Sequence, residues 1–279
     1  MKKWLYNTLI LIFAGVFLVS GGFLAAYFID GYNQQNRYSD LAALKTEATT
    51  PRPVPTVPDA TQSTDEEITE PTAPVMVEVT DPKTGEPRLV LPEFAALYEM
   101  NSDIIGWLKI PGTVVDYPVM QTPADPEHYL HRNFDGENSK RGCLFIQADC
   151  DAFAPSDNIV IYGHHMRDGS MFGQLEKYQK KAFCQEHPYI YFDTLEALHT
   201  YEVMAVFLTT ATVGQGFPYH TYVDMEDEAT FNSFVERCQK LSLYDTGVDA
   251  QPGDKLICLS TCEYSQVNGR LVIVAKQVA

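Results

Sequence analysis

The stretch Lys255-Leu-Ile-Cys-Leu-Ser-Thr-Cys262, with Glu263-Tyr-Ser-Gln-Val-Asn-Gly269 and Arg270-Leu-Val-Ile-Val-Ala-Lys-Gln277 behind it, decides how this chain folds. Two apolar, partly β-branched runs flank a polar segment ending in Asn268-Gly269, which predicts two antiparallel strands joined by a turn. Comparable runs lie upstream at 104–110, 114–120, 142–148, 158–163, 189–192 and 200–211, separated by turn signals such as Pro111-Gly112. Eight short strands in roughly 190 residues predict a mainly β domain, a sandwich or a barrel. Helical spacing interrupts them at 92–100, at 170–185 and at 224–243. In the last, Phe231, Phe234, Val235, Cys238 and Leu241 share one face, a stripe that reads as core packing.

Ahead of this domain, from about residue 89, the chain is different in kind. Met1-Lys2-Lys3 precedes an uncharged run, 4–29, that reads WLYNTLILIFAGVFLVSGGFLAAYFI. As a helix it would reach roughly 39 Å, more than the roughly 30 Å hydrocarbon layer requires. Lys2 and Lys3 on one side and Asp30 on the other place the N-terminus in the cytoplasm and the rest of the chain outside. A cleaved signal peptide is the rival reading, with Val19-Ser20-Gly21 as its site, but the apolar run continues through Phe28, long for such a leader. Residues 1–30 are therefore read as a retained anchor. Residues 31–88 are read as an extended stalk, rich in Pro, Thr and acids, too poor in apolar groups to offset its ordering entropy. Residues 89–279 form the globular domain.

Composition bounds the chemistry. The 279 residues carry 20 Lys and Arg against 37 Asp and Glu, a net charge of −17, which excludes a general nucleic-acid binder. The six cysteines show neither C-x-x-C nor zinc-finger spacing, so no structural zinc site is expected. Cys262 ends an apolar strand and so presents a thiol at a sheet rim. Such a thiol becomes a nucleophile only where a neighbour lowers its pKa or shares its proton. Two kinds of neighbour are available: Arg270 across the short connection, and His164 or His165 at the end of the 158–163 strand. A thiol, an imidazole and a guanidinium at strand ends suit acyl transfer, with nucleophile, acid/base and oxyanion donor.

Leu259-Ser-Thr-Cys262, the following Arg270, and Tyr162-Gly163-His164 upstream together resemble the signature of the sortases. Three further stretches resemble class B members in particular: 158–173, NIVIYGHHMRDGSMFG; 106–119, GWLKIPGTVVDYPV; and Tyr129-Leu130-His131. The resemblance covers roughly residue 92 to the C-terminus. It implies an eight-stranded closed β-barrel with peripheral helices and a cysteine transpeptidase of the Gram-positive cell surface. In that pattern the catalytic His directly follows Gly, which selects His164 and leaves His165 structural or on the surface. Cys262 would attack a backbone carbonyl in the sorting signal of a secreted protein, and His164 would protonate the leaving amine. Arg270 would stabilise the oxyanion, and an amine of the peptidoglycan precursor or cross-bridge would resolve the thioester. Ser260, Thr261 and Leu130 are expected to wall the peptide groove, with no cofactor and no metal.

One departure from the pattern is Cys258, where the family usually has Thr; it is expected to pack inward beneath the site. Two alternatives stand beside the wall-anchoring reading. A pilin-polymerising relative typically carries an Asp-Pro-aromatic lid, whereas Asp81-Pro82 is followed here by Lys83. A non-catalytic surface-binding barrel would leave the matching Cys, His and Arg unexplained. Asp81-Pro82-Lys83-Thr84-Gly85 also reads like an x-P-x-T-G sorting signal, though Pro and Gly at those places predict a turn.

Overall fold

Residues 3–46 and 75–279 are described by the computed structural model, which separates into two units, Met1–Leu41 and Ala42–Ala279. The first unit is helical. Helix α1 runs Lys3–Thr46, and its Tyr6–Lys45 portion is long and apolar enough to cross a membrane. Within such a helix every backbone polar group is satisfied locally, as a lipid environment demands.

The expected extended stalk, 31–88, is corrected at both ends. Helix α1 does not stop near residue 30, because residues 31–46 contain good helix formers such as Gln34, Arg37, Leu41 and Ala42 and no Pro. The first proline after the anchor is Pro51. Residues 47–74 lie outside the described residues. Beyond them a hairpin forms, with β1 (Val77–Thr80) antiparallel to β2 (Pro87–Val90). Its turn is the 81–85 segment. The Asp81 carboxylate accepts from the backbone N–H of Lys83 at 2.7 Å, and Gly85, at φ 75°, donates to the Asp81 carbonyl at 2.8 Å. The Tyr98 hydroxyl donates to Asp81 at 3.0 Å and the Lys83 ammonium meets Asp103 at 2.5 Å, so the turn is tied to the domain on both sides.

Eight strands close into a barrel: β3 (Ile104–Lys109), β4 (Asp116–Met120), β5 (Leu144–Ile146), β6 (Asn158–Tyr162), β7 (Tyr189–Thr194), β8 (Thr200–Thr210), β9 (Leu256–Glu263) and β10 (Gly269–Gln277). Around the barrel the order is β10-β8-β7-β3-β4-β5-β6-β9. Each strand falls on one of the runs read from the sequence, since alternating or continuous β-branched and aromatic residues suit a sheet that is buried on its inner face. The barrel wall is buried on both faces: Val206, Ile257, Leu259 and Ile273 share one face, Phe207 lies on the other, and these residues, with Trp107 and Phe192, are nearly inaccessible. Trp107 also places its indole N–H on the Asp116 carboxylate at 2.6 Å, which satisfies its one donor.

Peripheral helices pack around the barrel. A 3-10 turn, Pro92–Phe94, leads into α2 (Ala95–Met100); another, Gly173–Gln179, leads into α3 (Lys181–Glu186). Helix α4 (Glu228–Leu241) is capped by Asp227, whose carboxylate accepts from the Thr230 N–H. Phe231, Phe234, Val235 and Cys238 are its buried face, so the apolar stripe is core packing.

Two strand pairings set the geometry of the barrel rim. Strands β6 and β9 are parallel, with Tyr162 opposite Ser260, so the residues leaving both strands emerge side by side. Strands β9 and β10 are antiparallel, with Arg270 directly opposite Cys262.

Candidate active site

Above that end of the barrel lies a cleft of about 490 Å³. Cys262, His164, Arg270, Ser260, Thr261 and Leu130 all line it. The topology explains the convergence: the parallel β6–β9 pair delivers Gly163-His164 beside Thr261-Cys262, and the β9–β10 hairpin returns Arg270 to the same rim. Phe145 and Gln147, which motif reading did not single out, join Tyr162 of the Tyr162-Gly163-His164 motif in an aromatic and amide flank. The Tyr162 hydroxyl donates to the Gln147 side chain at 2.6 Å, and the Phe145 and Tyr162 rings lie 5.6 Å apart.

His164 is held by an atom that no side-chain pattern reveals. Its Nε2 lies 2.7 Å from the backbone carbonyl of Leu130. A carbonyl only accepts, so Nε2 carries the hydrogen and, in the neutral ring, Nδ1 is the bare nitrogen free to exchange a proton. His131 stacks on the ring at 5.7 Å. Burial pushes the His164 pKa below its ordinary value; the Leu130 carbonyl opposes that shift and His131 adds to it. Leu130 thus contributes both a cleft wall and the carbonyl that orients the imidazole.

The hydroxyls of the two expected groove residues point to protein partners. Ser260 and Tyr219 share a 2.5 Å hydrogen bond, and the Thr261 hydroxyl donates to the Gly163 carbonyl at 2.8 Å. Both residues are 2% exposed, so they border the cleft while their hydroxyls hold the framework together. Arg270 spends Nη1 on the carbonyls of Gly269, at 2.9 Å, and Asn268, at 3.3 Å. Its Nη2 and Nε have no hydrogen-bond partner among the described residues.

The cysteines divide sharply. Cys262 is partly exposed, whereas Cys143, Cys150, Cys184, Cys238 and Cys258 are buried, and all six are free. Cys258 is wholly enclosed between Val160 and Val274 on its neighbouring strands, and burial pushes its thiol well above the usual range. It packs inward, as expected, and only Cys262 offers sulfur to the cleft. His165 is not among the residues that line the cleft. Glu263 accepts from the Ser265 N–H and hydroxyl and so closes the β9–β10 turn.

A closed barrel that presents one accessible thiol beside an imidazole and a guanidinium defines a cysteine acyl-transfer enzyme. The sortase domain model matches residues 108–278. Sortase B of Listeria monocytogenes is 30% identical over 280 residues, covering 100% of this chain and 98% of that protein. Sortase B from Bacillus anthracis, in complex with AAEK1, is 29% identical at a TM-score of 0.67, over 90% of this chain and 98% of the other. The Staphylococcus aureus sortase B–substrate complex is 32% identical at a TM-score of 0.62, over 67% of this chain and 85% of the other. The chain belongs to the sortase family, and within it to class B. It is a cysteine transpeptidase that cleaves a sorting signal and passes the acyl part to an acceptor.

Proposed function

We propose that this chain is a membrane-anchored sortase in which Cys262 is the nucleophile, His164 the acid/base and Arg270 the oxyanion donor. The observation that carries the reading is the convergence of these three side chains on one cleft from three separate strand ends. The Cys262 thiol passes its proton to His164 Nδ1, the resulting thiolate attacks the scissile carbonyl carbon, and the negative charge moves to the carbonyl oxygen, where Arg270 offers Nη2 and Nε. The tetrahedral intermediate collapses as the C–N bond breaks, and His164 gives a proton from Nδ1 to the departing amine. A thioester remains on Cys262. An acceptor amine then attacks it, loses a proton to His164, and releases the thiolate.

The peptide lies in the cleft between Leu130 and the Ser260–Thr261 edge, a reading supported by the substrate complex of the Staphylococcus aureus relative. The acceptor is an amine of the peptidoglycan precursor or cross-bridge, which suits a chain whose N-terminal helix has membrane-spanning length. Residues 4–29 anchor the chain, with the N-terminus cytoplasmic and the barrel outside, following the charge asymmetry of Lys2 and Lys3 against Asp30. Residues 31–88 connect anchor and barrel, and 89–279 carry the catalysis. Pilus polymerisation is the weaker reading, because the 81–85 segment is a closed turn tied to the barrel and no lid.

Incubating the full chain with quenched sorting-motif peptides and a triglycine acceptor tests the reading. Cleavage, an acyl adduct on Cys262, and a triglycine-capped product are expected. An adduct on any other residue would overturn the assignment.

A further inference from the structure

We propose that His165 is a positioning residue that holds the nucleophile in register with the acid/base, by extending the β6–β9 ladder with its side chain. The parallel ladder pairs Tyr162 with Ser260, and its last backbone rung runs from the Gly163 N–H to the Ser260 carbonyl at 3.2 Å. In a parallel ladder the next rung from β6 to β9 would run from the N–H of residue 165 to the carbonyl of residue 262. Strand β6 has already ended at Tyr162, and the chain turns away. The Nδ1 of His165 takes the missing donor's place, 3.0 Å from the Cys262 carbonyl. A carbonyl only accepts, so Nδ1 carries the hydrogen.

The ring is fixed on its other sides. Its Nε2 lies 3.4 Å from the Glu176 carboxylate, which belongs to the 3-10 turn Gly173–Gln179. Tyr264, two residues after Cys262, packs edge-on at 5.1 Å and donates its hydroxyl to the His165 carbonyl at 3.3 Å. The His165 backbone forms a bridge with Met171, and the Phe172 N–H returns to the His164 carbonyl at 3.0 Å, which closes the loop behind the ring. The His165 side chain is 8% exposed in consequence. Together with the bond from Thr261 to Gly163, two side-chain bonds therefore lock the strand end that bears His164 to the strand end that bears Cys262. Without the His165 bond, the Cys262 peptide keeps its β10 partner but loses its tether toward His164.

The inference rests on Cys262 being the nucleophile, and its test separates the two claims. An Asn amide can occupy the place of an imidazole Nδ1, a Gln amide the place of Nε2, and Phe neither. Steady-state cleavage and melting temperature would be measured on the full chain carrying His165→Phe, His165→Asn, His165→Gln and Glu176→Leu. His165→Phe should lower kcat by about 10²-fold, the cost of a misplacement of about 1 Å, with peptide KM little changed. His165→Asn should recover most of that loss and His165→Gln little of it. Glu176→Leu, at a half-exposed position, should show a smaller fall in kcat at unchanged melting temperature. A His165→Phe variant with near-normal kcat would overturn the proposal. So would equal losses in the Phe and Asn variants that follow their melting temperatures, which would mark a purely structural residue. Cys262→Ala is run in parallel: residual cleavage there would sink the catalytic assignment itself, whatever the His165 series shows.

Discussion

The imidazole of His164 hangs from the main chain of Leu130, with Nε2 donating to that carbonyl at 2.7 Å. The contact spans the β4–β5 crossover and the end of β6, segments far apart in sequence that the barrel brings together. It fixes the tautomer and leaves Nδ1 for proton transfer.

That geometry makes a spectroscopic prediction. Nitrogen chemical shifts should identify neutral His164 as the Nε2–H tautomer, titrating below the ordinary His value of about 6.5 because burial disfavours its charged form. Stability should change with the same titration. As pH falls below about 6.5 the unfolded chain takes up this proton first, so stability present above that value is lost down through the folded pKa. His164→Gln should flatten that part of the stability curve. A paired thiol and imidazole should give a bell-shaped dependence of kcat/KM on pH, and that profile should collapse in the same variant. A titration at or above the ordinary value would contradict the burial argument.

A second prediction tests the Leu130 carbonyl without touching His164. Gly142 has φ 58°, and a Cβ there would meet the Leu130 and Tyr129 carbonyl oxygens at 2.5 Å. Gly142→Ala should therefore cost about 1–3 kcal/mol of stability and displace the acceptor of His164. Gly253→Ala is the control, since Gly253 also has positive φ, 99°, but nothing near its would-be Cβ. Both variants should lower the melting temperature, and only Gly142→Ala should lower kcat at a temperature where each remains folded.

Thiol accessibility supplies a third. Five cysteines are buried and one is partly exposed, so a bulky thiol reagent should modify one sulfur per native chain. Cys262→Ala should fold, take up no reagent, and form no thioester. In denaturant the wild type should expose all six thiols. Rapid native labelling of Cys258 would show that the barrel opens far more readily than its packing implies.

Arg270 allows charge and geometry to be separated. Lys keeps the charge opposite Cys262 but loses the planar fork, whereas Ala loses both. If the fork meets the oxyanion, Arg270→Lys should lose roughly 10²–10³-fold in kcat with KM little changed. A Lys variant with near-normal kcat would assign the role to charge alone.

The 81–85 turn yields the last. Its backbone is closed by Asp81 and Gly85, and its side chains are committed to Tyr98 and Asp103. A segment held this way is not an extended peptide that competes for the cleft. Replacing it with another tight turn should leave the apparent KM for substrate peptide unchanged; a fall in KM would mean that the segment, with its x-P-x-T-G pattern, competes with substrate as a tethered decoy.

Local pattern alone determined much of this protein. Strand positions follow from runs of apolar and β-branched residues, α4 from its Phe231–Phe234–Cys238 stripe, and the apolar helix from an uncharged run too long for anything else. That Cys262, His164 and Arg270 could meet at one cleft was legible because each closes or opens a strand in a recognisable motif. Helix α1 overran its expected end because no helix breaker precedes Pro51, and the β1–β2 hairpin was hidden in a stretch whose prolines dominate its composition. Only the tertiary structure decided how these groups are held. The acceptor of His164 is a backbone carbonyl, which every residue has, so no residue identity announces it. The tether of Cys262 is a side chain standing in for a backbone rung, and it exists only because the parallel β6–β9 register sets position 165 beside position 262. Motifs record which groups can react; barrel closure and strand register decide which of their lone pairs and hydrogens face one another.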